Sequence, residues 1–353
     1  MKSLVLYAFA AFCGMDAARA AEPLQVRTDG ARFVGSTGCK SSSCHGGAGE
    51  KRSQFLTWSQ KDFHTRGFAI LTNARSQRIA EAIGAGSAET SSRCTSCHSP
   101  LQAIAPARLT SGVDPHEGVS CENCHGAAET WLRGHTRKDW SYAARVGAGM
   151  RDLRSFYVRA NTCVACHQNL ESDLLDAGHP LLLFELDGQS IAEPKHWQDP
   201  AESGVRAWLV GQAVALREVS WHLTGSGGAD LRIVAQWDAL AWLLSEVTAI
   251  DSTLPRIETS DYSSTQSQAD AVARRASQQN FGSEFANRVR DRLTAVRASD
   301  ISLQRAQRLV LALECLSLGS PRSELRALRD ELSDFNSARF AEKLAAFAST
   351  RQR

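Results

Sequence analysis

Four cysteine pairs, each followed at once by histidine, constrain this chain more than any other feature: "CKSSSCH" at 39–45, "CTSCH" at 94–98, "CENCH" at 121–125 and "CVACH" at 163–167. Three have two residues between the cysteines, and the first has four. Ten cysteines in an exported chain would ordinarily suggest disulfides. Histidine, however, supplies only 10 of 353 residues and yet fills the place after the second cysteine every time. The chance odds of that are roughly one in a million, and the triplet is the signature of covalent haem attachment. Zinc competes more closely, because Cys-x-x-Cys pairs also form zinc knuckles, but a tetrahedral zinc site does not need histidine directly beside the second thiolate.

The chemistry accounts for the spacing. Each thiol adds across one vinyl group on the porphyrin edge, and the next residue turns its imidazole under the plane to bind iron. Cys39 and Cys44, Cys94 and Cys97, Cys121 and Cys124, and Cys163 and Cys166 are therefore expected to hold four haem c groups, with His45, His98, His125 and His167 as the proximal ligands. The longer first loop can do the same if Lys40 to Ser43 bulge outward, which its Ser and Gly content suits.

The sixth position decides between wire and enzyme, since iron bound on both faces passes electrons whereas an open face can activate a small molecule. Six more histidines remain: His64, His116, His135, His179, His196 and His222. Only Met150 lies beyond the leader described below, so bis-histidine ligation is expected to dominate, with lower potentials than His/Met ligation gives. His179 in "DAGHPLLLFEL", His196 in "EPKHWQDP" and His116 in "DPHEGVSC" are loop candidates. His222 falls in a helical pattern and reads as a packing or exposed residue.

Lys2, the apolar run from Leu4 to Cys13 and the small-residue ending Ala18, Arg19, Ala20 have the plan of a secretory signal peptide, with the mature chain starting near Ala21. Phe12 argues against Cys13 as a lipoprotein site. No later run approaches the ~20 apolar residues that spanning requires. A soluble periplasmic protein is expected. The net charge of +2 gives no nucleic-acid footprint.

With these motifs in view, the chain resembles the cytochrome c-554 family of tetrahaem cytochromes. "FVGSTGCKSSSCH" with "TWSQKDFH" is similar to the family's first motif and its downstream Trp and His, here Trp58 and His64; "GVSCENCHG" with "LRGHTRK" is similar to its third motif and the His beyond it, here His135. The resemblance covers roughly residues 33 to 170. It implies that the two downstream histidines are exchanged, so that His64 caps the haem of His125 and His135 the haem of His45. The chain departs from the family in its first motif and in having no His between His135 and His167, which leaves His179 as the substitute partner for the fourth haem. The family's second haem lacks a sixth ligand; here either His116 or His196 closes the iron of His98, or that iron is open.

The expected fold is mainly α: a leader at 1–20, a linker at 21–38, a loop-rich haem domain at 39–200, and an antiparallel helical bundle at 201–353. After Pro200, Val205, Trp208, Gln212, Leu216, Val219 and Leu223 form a mostly apolar stripe stopped by "GSGG" at 225–228. Leu231 to Ile250 reads as its partner, 258–267 as a polar connection, and 300–318 and 321–349 as further helices divided at "GSPRSE". Cys315 reads as a small buried apolar residue. The leading function is an electron carrier between a donor and an acceptor protein, with the bundle available for docking or oligomerisation. The alternative is an oxidoreductase acting on a small nitrogen or sulfur compound at an open iron on His98.

Overall fold

The computed structural model describes residues 30–198, 204–225, 230–316 and 322–349. The leader at 1–20 with Cys13, the rest of "GSGG" after Gly225 and the start of "GSPRSE" lie outside the described residues. The fold is mainly α. Among the described residues the one β pairing is an isolated parallel bridge between Phe33 and Leu109.

Residues 30–198 are short helices joined by loops, the longest being Phe156–His167. Three of the four motifs close a helix on their histidine: Ser92–His98, Cys121–His125 and Phe156–His167. Gly126 stops the second of these with a φ of 85°, which a side chain would resist. The first motif is instead a set of turns, with Cys44 N–H donating to Ser41 O at 2.9 Å and His45 N–H to Cys39 O at 3.2 Å. Its extra residues double back so tightly that a Cβ on Gly46 would stand 1.8 Å from Lys40 O. That is why glycine follows His45.

The central helix Gly204–Gly225 is buried on every side, with Leu209, Val210, Ala213 and Val214 enclosed as fully as Trp208 and Leu216. The single stripe read from sequence is therefore only part of its apolar surface. Leu231–Thr248, Tyr262–Ser277 and Leu303–Leu316 pack on it, and so do Phe156–His167 and Leu186–Ala192 from before residue 200. One core accordingly takes in Phe156, Ala160, Val164, Phe184 and Leu186 together with the later helices.

A buried polar clamp fixes that junction. Arg217 on the central helix pairs with Glu218 at 2.7 Å and with Asp270 at 2.8 Å, and it donates to Tyr157 Oη at 3.2 Å and to Asn161 on the fourth-motif helix. Tyr157 in turn donates to Asp270 at 2.7 Å.

Two later boundaries differ from the sequence pattern. Residues from Tyr262 onward, expected as connection, are helical because Asp261 caps them, accepting from Ser264 N–H at 2.8 Å. The stretch 321–349 is two helices, Arg322–Glu331 and Ser337–Ser349; Asn336 accepts from Arg339 N–H at 3.0 Å at the start of the second.

Candidate functional site

Each motif histidine faces a second imidazole. Ring centres are 6.0 Å apart for His45 and His135, 6.5 Å for His98 and His179, 6.3 Å for His125 and His196, and 6.1 Å for His167 and His64. This spacing has a physical meaning. About 2 Å from each nitrogen to a metal, plus roughly 1 Å from nitrogen to ring centre, puts two imidazoles on opposite faces of one ion about 6 Å apart. Directly stacked rings would sit closer and metal-free partners would have no common distance. The four pairs thus fit an iron between each.

Hydrogen bonds orient the rings for that role. His45 Nδ1 lies 3.0 Å from Gln54 Oε1, His64 Nδ1 3.0 Å from Asp62 Oδ1, and His179 Nδ1 2.9 Å from Pro180 O, while His135 Nδ1 meets Leu132 O. Gln189 places its side-chain amide 3.3 Å from His167 Nδ1. At the four rings with an oxygen partner, that acceptor keeps the proton on Nδ1 and leaves Nε2 bare for a metal, whereas Gln189 offers His167 an amide nitrogen, which donates. Burial works in the same direction at other rings: it pushes His125 and His167 down to about 4 and also lowers His98 and His196, so these imidazoles are neutral near pH 7, as a metal would require. His64 is the exception, raised by its hydrogen bond to Asp62.

The thiols of different motifs adjoin one another. Cys39 hydrogen-bonds with Cys121, and Cys97 with Cys166, which holds Cys97 down to about 7 and raises Cys166. Cys163 lies within electrostatic reach of Cys124, whose thiol burial pushes up to about 12. Every described cysteine is free, and Cys44 is the exposed one among the motif cysteines. A buried carboxylate locks the first motif to the third. Glu122, inside "CENCH", accepts from Val34 N–H at 3.0 Å, Gly35 N–H at 2.7 Å and Ala128 N–H at 2.7 Å. Trp58 Nε1 donates to Val119 O at 3.0 Å, tying the first motif's downstream helix to the same segment.

The geometry redistributes the expected partners. His135 faces His45, as the resemblance implied. His64 faces His167 and not His125, whose partner is His196. His179, expected at the fourth motif, faces His98 at the second. The cause is the path of residues 168–198, which fold back over the earlier motifs and deliver both loop histidines there, leaving the fourth motif to His64. His116 lies outside the four pairs, exposed, tilted against Phe68 with ring centres 4.4 Å apart and its Nδ1 3.5 Å from Asp114. His222 stays on the central helix. Cys315 is partly buried against the core but also hydrogen-bonds Asp187, so it is not a purely apolar filler. Asp62, Gln54 and Gln189 carry no motif and were not legible as site residues.

Residues 38–126 match the family model described as cytochrome c554 and c-prime. The chain is similar to the cytochromes c. The match takes in the first three motifs of this cytochrome-like chain and ends before the fourth. Covalently bound haem c and redox partners are what that resemblance implies. No curated protein and no solved structure matches the chain. No helix among the described residues is long and apolar enough to cross a membrane.

Proposed function

We propose that this protein is an exported tetrahaem c-type cytochrome that carries single electrons between a donor and an acceptor protein in the periplasm. The observation that carries the reading is the set of four histidine pairs, each built from one motif histidine and one distant ring at a common spacing of 6.0 to 6.5 Å. Haem c, when attached, supplies a one-electron iron couple at each pair. The chain does the rest. Its cysteine pairs fix the porphyrin edges, and His45, His98, His125 and His167 are the proximal ligands. His135, His179, His196 and His64 respectively occupy the opposite faces and so exclude exogenous ligands and water.

The thiol contacts support an order of attachment sites: first beside third, third beside fourth, fourth beside second. Cys44 brings the first of these to the surface, where a partner protein has access. An oxidoreductase acting at an open iron on His98 is the less favoured reading, because His179 stands where a small molecule would bind. The leader pattern at 1–20 supports export, and the later helices remain available for docking or oligomerisation.

The test is the mass of the purified exported protein after acid–acetone has stripped all non-covalent groups. Polypeptide plus four haems is expected. Bare polypeptide, or fewer than four, contradicts the reading.

A further inference from the structure

The four proposed iron sites differ in what holds their imidazoles. Where the structure shows an Nδ1 partner, it is a neutral group at four rings: the Gln54 amide oxygen at His45, the Leu132 carbonyl at His135, the Pro180 carbonyl at His179 and the Gln189 amide at His167. His64 alone among these rings has a carboxylate. Asp62 is buried, and its Oδ1 accepts from both His64 Nδ1 at 3.0 Å and His64 N–H at 2.9 Å, so one oxygen fixes both the ring and the backbone that carries it. Glu193 completes a close group with Asp62 and His64, their ligand atoms all within 4.8 Å of one another. No arginine or lysine is ion-paired with Asp62 among the described contacts, so its charge is directed at the imidazole.

A hydrogen bond from Nδ1 to an anion gives the ring imidazolate character and makes Nε2 a stronger donor to iron, which favours the ferric state. A neutral amide or carbonyl does this far less. We propose that Asp62 is the positioning residue for His64 and that its buried negative charge lowers the reduction potential of the iron held between His64 and His167. This inference rests on the reading of His64 and His167 as a ligand pair. It makes the fourth site the most oxidised under equilibrium with a partner, other influences being equal, and so separates the interior of the array from its exposed end at Cys44.

Asp62→Asn tests it in the intact holoprotein, because a carboxamide oxygen accepts the same two hydrogen bonds and only the charge is lost. Spectroelectrochemical titration is expected to show one of four potentials rising, its reduction equilibrium shifted about tenfold, or ~59 mV for one electron. Gln54→Glu is the converse variant at a more exposed position, and it is expected to lower the potential of the site at His45. If Asp62→Asn retains four low-spin haems and leaves every potential in place, the role of Asp62 is overturned. Should that variant fail to assemble, an unchanged set of potentials in Gln54→Glu overturns it instead. His64→Ala separates this from failure of the ligand reading: one iron turns high-spin if His64 is a ligand, and none does if the pairing itself is wrong.

Discussion

Between residues 30 and 150 the largest apolar cluster is Leu71, Ala80 and Ala88, whereas the single helix Gly204–Gly225 buries side chains on all its faces. The first region is tied by polar contacts such as Glu122 to three backbone amides, and the second by a continuous hydrophobic core. Short helices with little shared core cannot offset the conformational entropy of ordering them, about 1–2 kcal/mol per residue for the backbone. Porphyrins bound at the motifs would supply the missing apolar surface. The difference leads to an expectation: folding of the first region would depend on attachment chemistry, and folding of the second would not. The fourth-motif helix Phe156–His167 belongs to both, with its histidine in the site and Phe156, Ala160 and Val164 in the later core.

The largest expected effect follows directly. Replacing all eight motif cysteines with serine is expected to leave residues 30–150 open to proteolysis and rapid amide exchange while 204–349 stay protected. Equal protection of both regions would erase the distinction. Next in size is the clamp on the fourth-motif helix: Arg217→Met removes one member of a buried ion pair and leaves Glu218 uncompensated while Asp270 keeps Arg274, at a cost of about 3–5 kcal/mol in urea unfolding. A loss under 1 kcal/mol would mean that the junction does not depend on Arg217.

A smaller effect distinguishes the later core by pH. Burial pushes Glu185 up to about 8 and Asp187 up to about 6. Since these folded values lie above the ordinary carboxylate range, the native state holds protons that the unfolded chain releases. Their contribution is therefore complete only below about pH 3.5, under the ordinary carboxylate values, and is lost as pH rises toward 8. Glu185→Gln is expected to flatten that decline and to gain on the order of 1–2 kcal/mol at pH 8, measured by unfolding at a series of pH values. A slope identical to the parent's would assign the decline to other groups. The smallest effects belong to histidines outside the pairs: His116→Ala and His222→Ala are expected to leave the visible spectrum unchanged and stability within about 0.5 kcal/mol.

Much of this architecture was legible in the residues, and the exceptions have physical causes. The cysteine–histidine triplets were legible because two thiols and the next imidazole must meet one porphyrin together, which the longer first loop still permits by bulging outward, and the helical texture after residue 200 follows from apolar periodicity. Distal partners are a matter of chain path. Residues 168–198 have no periodic pattern to show that His179 would fold onto His98 and His196 onto His125. Asp62 was illegible for another reason: a carboxylate two residues from a histidine is common, and only its burial against Nδ1 makes it part of the site. The stripe on the central helix was read too narrowly because its other side packs on Phe156–His167, a contact spanning the loop-rich segment between them.

The central claim is that a motif histidine and a distant one enclose each of four irons. Spin-quantified electron paramagnetic resonance of the oxidised protein tests it most directly, because the signal counts the irons and reports the angle between ligand planes. The pairs cross at 18° for His45 with His135 and at 90°, 65° and 61° for the others. The account predicts four low-spin ferric ions per chain, one with a rhombic signal and three with strongly anisotropic, large-g signals. A stoichiometric high-spin signal, or fewer than four irons per chain, would contradict it.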